Sequence, residues 1–369
     1  MRILLFSWRG PKHPHEGGAE IVTSEYAKAW IQKGHQVVWF TSAFEGGKDH
    51  EIIDGIEIIR RGSEILSVQL QAIKWYLLQN RHRFDLVIDQ FHGLPFFTPL
   101  FVKTPKLAFI HEVTKNVWRY NPLSEPWHSI VAFLGQRGEP FIFKLFYKNV
   151  PFLTVSDSTR NELIEWGIPK KNITVIHNGV KKVAPLNIPK KKIITFFGAI
   201  AEDKGIEDAL KVFVLLKDQN VRFWVIGKYD NLYFKKVKRL VKKLDLSAKI
   251  KFWGYVSERK KNQLLAQSLV IVNPSVREGW GLTVIESAQM GTPTVAYKVS
   301  GLQDAIVDQK TGLLAKSKTP EALSSLVRKL LSDKKLYQFL QKEDKKWAKQ
   351  FDWNISTKKS LQLINFLTQ

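Results

Sequence analysis

Two glutamates, Glu278 and Glu286, flank the turn Gly279-Trp280-Gly281 and the apolar run Leu282-Thr283-Val284-Ile285. In a chain rich in lysine, this spacing aims two acids at one small, hydroxyl-rich ligand, because an ionised carboxylate has several acceptor sites and suits a vicinal diol. The same stretch opens a helix. N–H groups near Leu282, Thr283 and Val284 would therefore face an anion such as a diphosphate at the positive helix end. A plainer reading competes at Glu286: Thr283-Val284-Ile285-Glu286 has the form of a capping box, in which the glutamate only satisfies a free N–H. Glu278 lies in the turn itself, where packing gives a carboxylate no purpose, and there the ligand reading leads.

Further candidates sit where strand-like runs end. "HPHEGGAE" (13–20) follows the first such run. Gly17 and Gly18 can bring backbone N–H groups close to an anion at a helix start, or form an ordinary turn. "FGAIAEDKGIEDAL" (197–210) places Lys204 before Gly205 and a helix, as a point charge for a phosphate or as a solvated turn lysine. His111 closes "KLAFIH" (106–111) and reads either as a site histidine or as a hydrogen-bonded core one. In "SDSTRNEL" (156–163) the hydroxyls read as helix caps, with Ser156 and Arg160 the acceptor-side candidates if they face a ligand. His13, His15 and His92 lack a metal-like spacing and read as solvated loop residues; His92 is also an acceptor-side candidate. No metal site is expected. Most Trp and Phe residues read as core, with Trp280 the exception.

These residues need elements to position them. Apolar runs alternate with helical patterns: "ILLFSW" (3–8), "AEIVTSEYAKAWIQKG" (19–34), "QVVWFT" (36–41), then strands near 85–89, 106–111, 152–156 and 173–177. The pattern restarts at 193–198, 221–227, 250–254, 269–275 and 292–298. Alternation of this kind is the signature of parallel sheets wrapped by helices, and open parallel sheets bind ligands at the carboxyl ends of their strands. At 369 residues the chain suits two domains. The expected division is a first domain over 1–183, a linker over 184–192 in the proline- and lysine-rich "KKVAPLNIPKKK" (181–192), a second domain over 193–350, and a terminal helix over 351–369 packing back across the junction.

Composition narrows the function. The chain has no cysteine, which excludes disulfides, thiolate metal sites and a cysteine nucleophile and fits a reducing, cytoplasmic compartment. The amino terminus reads as a buried strand, not a signal peptide. The longest apolar stretch, "LPFFTPLFV" (94–102), falls short of the ~20 residues that span a bilayer. A net charge of +23 allows a nucleic-acid or anionic-surface binder. Yet residues 1–180 hold 21 Lys and Arg against 17 Asp and Glu, and the remainder 36 against 17. Much of the excess interleaves with apolar positions in "FKKVKRLVKKL" (234–244), as on a solvated helix face, and no nucleic-acid partner is expected. Two aromatic and basic pieces, 72–84 and 140–148, leave a peripheral membrane contact open.

Taken in order, "GGAE" (17–20), "VSDSTRNELIEWGIP" (155–169), "IHNGV" (176–180), "GAIAEDKG" (198–205), "NPSVREGWGLTVIES" (273–287), "GTPTVAY" (291–297) and "TGLL" (311–314) resemble glycosyltransferase family 4. These are retaining enzymes of the GT-B architecture, which take a sugar from a nucleotide diphosphate donor. The resemblance implies an α/β fold of two Rossmann-like, doubly wound parallel-sheet domains facing a central cleft. It implies that Glu278 contacts hydroxyls of the transferred hexose and that Glu286 holds the ribose. Lys204 and the amides after Gly281 would neutralise the diphosphate, Gly17 and Gly18 would approach it from the first domain, and His111 would lie near donor sugar and acceptor. Gly198, Gly254, Val256, Gly279, Trp280, Gly281, Leu282, Thr283 and Val284 complete the implied donor set. The acceptor would be a glycan, a polysaccharide or a lipid-linked hydroxyl, with no cofactor and no metal; the rival within the family is a sugar-phosphate synthase. Two departures stand out. Gly198-Ala199 replaces the family's usual Gly-Arg, with Arg277 the candidate substitute cation, and Lys181 follows "HNGV" where the family often has Asp.

Overall fold

The computed structural model describes residues 1–64, 67–80, 83–121, 123–184 and 186–369. It divides into one unit of Met1–Gly179 with Asp352–Gln369 and a second of Val180–Phe351.

The first unit runs β1 (Arg2–Ser7), α1 (Gly18–Gln32), β2 (Gln36–Thr41), β3 (His50–Ile53), β4 (Ile56–Arg60), α2 (Ser67–Trp75), β5 (Leu86–Gln90), β6 (Lys106–Ile110), α3 (Trp127–Ile142), β7 (Phe152–Thr154), α4 (Asp157–Glu165) and β8 (Ile173–Val175). Its eight strands stand in the order β3-β4-β2-β1-β5-β6-β7-β8. Every pairing is parallel except β3 with β4. Helices cover both faces of such a sheet, so its inner strands β1, β2, β5, β6 and β7 are buried at nearly every position and not only at alternate ones. Leu4, Phe6, Val38, Phe40 and Val87 pack with Trp75 and Tyr76 in one buried cluster. The β3–β4 hairpin turns at Asp54-Gly55, both with positive φ, the backbone that a two-residue type I′ loop requires.

The second unit runs β9 (Ile193–Phe197), α5 (Ile206–Leu215), β10 (Arg222–Ile226), α6 (Asn231–Lys243), β11 (Ile250–Gly254), α7 (Glu258–Gln267), β12 (Val270–Asn273), α8 (Leu282–Gln289), β13 (Thr294–Tyr297), α9 (Leu302–Ala305), β14 (Gly312–Ala315), α10 (Pro320–Ser332) and α11 (Lys334–Ala348). The sheet order is β11-β10-β9-β12-β13-β14, parallel throughout. The lysines of α6 do lie on a solvated face, while Phe234, Val237 and Val241 turn inward.

The boundaries differ from the sequence expectation at both junctions. The first unit ends at Gly179, and the described part of the expected linker 184–192 is bound into the second unit: Lys191 N–H donates to Gln267 O at 2.8 Å and Lys190 Nζ to Met290 O at 3.3 Å. Phe351 stays with the second unit, and Asp352 caps the last helix, α12 (Trp353–Leu367). That helix packs on α1 within the first unit, where Trp30 Nε1 donates to Ser360 Oγ at 3.1 Å. Gly179 is obligatory beside it, since any Cβ there would collide with the backbone of Asp352 and Trp353. Among the described residues, no helix is long and apolar enough to cross a membrane.

Candidate active site

In the second unit the carboxyl ends of the parallel strands come together through glycines. Gly198 N–H donates to Ile226 O and Gly227 N–H to Gly254 O, both at 3.0 Å. A Cβ on Gly227 would strike Gly198 O, so the ends of β9, β10 and β11 approach as only bare backbone allows. Val256 is half-buried and packs with Trp224 and Trp253 beneath this rim.

The loop after β9 brings Lys204 to the turn after β12. Gly205 has φ 71° and presses on Pro274, while Val276 N–H donates to Asp203 O at 2.9 Å. Pinned in this way, Lys204 Nζ stands 3.2 Å from Glu278 Oε1. Ser275 Oγ donates to the same oxygen at 2.8 Å, and Asn273 Oδ1 fixes the serine by accepting its N–H at 3.1 Å. Glu278 and Lys204 remain about a fifth to a quarter exposed, within reach of a ligand. Behind them, Glu278 N–H donates to Ser300 O at 3.2 Å, and Gly301 leaves no space for a side chain against Glu278 O.

Gly281, in the left-handed region at φ 94°, caps α8. The amides of Leu282 and Thr283 open this helix, where N–H groups have no intrahelical acceptor. Val284 N–H already donates to Gly281 O at 2.9 Å, which narrows the expected anion-binding set. The capping-box alternative for Glu286 is overturned too. The cap falls at Gly281, so Glu286 sits inside the helix, and its Oε1 accepts from Lys261 Nζ of α7 at 2.7 Å. Burial pushes the Glu286 carboxyl up, against the opposing pull of Lys261. For Lys261, burial works against the charge, yet Glu286 and Glu258 more than offset it, and its pKa ends raised. Sequence reasoning missed Lys261, although it shares a helical stripe with buried Leu264 and Leu265.

Trp280 and Arg277 both turn inward here. Trp280 is buried, its ring edge-on to Phe351 at 4.9 Å, so its side chain serves packing and not the donor. Arg277 is also buried, and its Nη2 donates to Ser300 Oγ at 3.3 Å. This contact holds one edge of the guanidinium against the chain's own Ser300 loop.

The first-unit candidates cluster at the carboxyl ends of β1, β5, β6 and β7. Gly17 N–H donates to Glu20 Oε2 at 2.7 Å, at the start of α1 beside Gly18. This amide is engaged by the chain itself and not open to an anion. His111 lies against Phe109 with its Nε2 3.4 Å from Gln90 Nε2. Burial, reinforced by His92, drives its pKa down to about 3, so the imidazole is neutral at physiological pH. His92 stacks on Trp8 and lies 4.0 Å from Glu112. Ser156 is fully buried and accepts from Thr159 N–H as the cap of α4, which leaves it no acceptor-side role. Arg160 pairs with Asp157 at 2.8 Å.

The structure also joins residues that the sequence spacing kept apart. Glu64 Oε1 lies 3.2 Å from His13 Nε2 and 3.1 Å from His15 Nδ1, and His13 is buried, contrary to its reading as a solvated loop residue. Arg9 binds the other carboxylate oxygen at 2.7 Å, and His13 Nδ1 already accepts the N–H of His15. A guanidinium in the cluster suits an ion-pair network better than a metal.

Two α/β units, each built on a mostly parallel sheet wrapped by helices, together with the superpositions on solved structures, place the chain in the GT-B class of fold. The chain belongs to glycosyltransferase family 4: the model described as Glycosyltransferase Family 4 matches residues 16–182, and that described as Glycosyl transferases group 1 matches residues 181–347. An uncharacterised glycosyltransferase of Methanocaldococcus jannaschii is 29% identical over 54% of this chain, a match that spans only 55% of that protein's length. Among solved structures, sucrose-phosphate synthase from Thermosynechococcus elongatus superposes with a TM-score of 0.81 at 20% identity, covering 99% of this chain and 98% of the other. An Anabaena protein, HepE, in complex with UDP-glucose superposes with a TM-score of 0.73 at 16% identity, covering 99% of each.

Proposed function

We propose that this protein is a retaining, metal-independent hexosyltransferase that moves a sugar from a nucleotide diphosphate hexose to a hydroxyl of a glycan, polysaccharide or lipid-linked acceptor. The observation that carries the reading is the convergence of Lys204, Ser275 and Glu278 beside the amino end of α8. In the absence of ligand the lysine and the glutamate neutralise each other. With a donor bound, Glu278 accepts hydrogen bonds from the hexose hydroxyls, and Lys204 and the amides of Leu282 and Thr283 turn to the diphosphate. Charge develops on that leaving group as the glycosidic bond breaks, and fixed donors aimed at it lower the barrier without reorganising. The leaving diphosphate then takes the proton of the acceptor hydroxyl on the same face. Glu286, held by Lys261, accepts from the ribose.

HepE's complex makes UDP-glucose the first donor to try. The test is thermal-shift screening against UDP-, GDP- and ADP-sugars, in which a bound donor raises the melting temperature, followed by turnover with the stabilising sugar. Failure of every nucleotide sugar to stabilise the chain, or undiminished turnover in a Glu278→Ala variant, overturns the reading.

A further inference from the structure

Helix α3 carries an outward face that its own unit does not cover. Its inner side is firmly anchored: Glu139, 2% exposed, accepts from Thr114 N–H at 2.8 Å, Lys115 N–H at 3.1 Å and Trp118 Nε1 at 3.0 Å. Trp118 lies so close over Gly135 that a Cβ there would strike its ring. Beyond Ile142 the helix continues as a π-helical turn over Phe143–Tyr147, whose Phe143 and Tyr147 enter the core. The rotation of the helix is therefore set, and what points outward does so by construction. That outer stripe reads Trp127, Ile130, Phe133, Leu134, Phe141 and Leu145, each between 41% and 64% exposed. Large apolar side chains concentrated in this way mark an interaction surface and not ordinary surface scatter.

Cations sit among them at helical spacing. Arg137, Lys144 and Lys148 are exposed along the same segment, with the Arg137 guanidinium over the Phe133 ring at 4.6 Å. Between Trp127 and Lys148 the only acid is Glu139, which faces inward; Glu125 lies just before the helix. A second copy of this face would set cation against cation with no acid to answer. An anionic surface with an apolar interior answers both halves of the stripe.

We propose that the α3 face, from Trp127 to Lys148, docks the protein on an anionic membrane surface. The helix lies in the interface plane, its aromatic and aliphatic side chains reaching below the headgroups while Arg137, Lys144 and Lys148 meet lipid phosphates. Of the two sequence pieces that left membrane contact open, 140–148 falls on this face, and 72–84 includes residues 81 and 82, which lie outside the described residues. This inference does not depend on the transferase reading.

The experiment is co-sedimentation of the full chain with phosphatidylcholine vesicles, with and without phosphatidylglycerol. The wild type is expected to sediment with the anionic vesicles, to release as salt is raised and to bind neutral ones weakly. A Phe133→Glu/Phe141→Glu variant should lose at least about tenfold in vesicle affinity, and an R137E/K144E/K148E variant should lose its preference for the anionic lipid. Unchanged melting curves show that the variants fold, and turnover on a soluble acceptor, read in parallel, reports on the transferase separately. The proposal is overturned if the wild type stays in solution with anionic vesicles or if the variants bind as well as it does. It is equally overturned if the face instead mediates a concentration-dependent dimer that the Glu variants dissolve.

Discussion

Lys261 Nζ stands 2.7 Å from Glu286 Oε1, tying α7 to α8 through a pair that is mostly out of solvent. Removing the cation alone leaves a buried carboxylate to protonate or reorient. Lys261→Met is therefore expected to destabilise the unit by about 2–3 kcal/mol and to raise the donor KM more than it lowers kcat. Glu286→Gln added to Lys261→Met should restore most of the stability but not the KM. Chemical denaturation alongside steady-state kinetics checks both; a Lys261→Met enzyme with native KM would show that the pair is only structural.

Lys204 and Glu278 share a loop junction, and the proposed reaction gives them different roles. Either alanine variant should fold, since both side chains are partly exposed and neither fills a core. Lys204→Ala should lower kcat by about a hundredfold or more, the scale seen when one donor to developing charge is removed. Glu278→Ala should cut turnover comparably. A loss confined to KM in Lys204→Ala would remove the lysine from the leaving-group interaction.

The strands were readable because parallel sheets covered on both faces demand unbroken apolar runs, and "ILLFSW", "QVVWFT" and "VRFWVIG" supply them. The β3–β4 hairpin went unassigned although Asp54-Gly55 is a strong turn signal, because β3 alternates exposed and half-buried residues and charged Glu57 and Arg60 interrupt the otherwise apolar β4. At the site, Glu278, Lys204 and Gly281 could be picked out because glycines requiring unusual backbone punctuate their loops. Lys261 could not, being one lysine among many, betrayed only by its stripe with Leu264 and Leu265. Trp280 misled for a physical reason: an aromatic in a loop looks available until a distant residue, Phe351, covers it. Glu64 meets His13 and His15 across 49 and more residues, a pairing that no local spacing announces.

Gly301 tests the packing behind the site. Its φ is 78°, and a Cβ would collide with Glu278 O and Gly279 C. Gly301→Ala must therefore shift the Glu278 backbone as well as strain its own. The expected outcome is a stability loss of about 1–3 kcal/mol with a disproportionate fall in kcat, read by melting and by turnover below the melting range. A variant that is destabilised but turns over normally would separate this turn from the chemistry.

His111 sets a pH dependence whose sign follows from its burial. Its folded pKa is about 3, against an ordinary value of 6.5, so between those limits the unfolded chain binds a proton that the folded chain refuses. Stability is complete above pH 6.5 and drains away as the pH falls toward 3. His13, lowered to about 4 chiefly by burial, adds a slope of the same sign. From pH 6.5 to 5 the His111 share is about 1–2 kcal/mol at most, at 1.36 kcal/mol per pH unit less the allowance for its partial exposure. Denaturant unfolding at pH 5 and 7 should show the wild type weaker at the lower value, and His111→Asn should flatten the difference by that amount. An unchanged slope in the variant would mean that the ring takes up its proton in the folded state, and the neutral-imidazole assignment would fall with it.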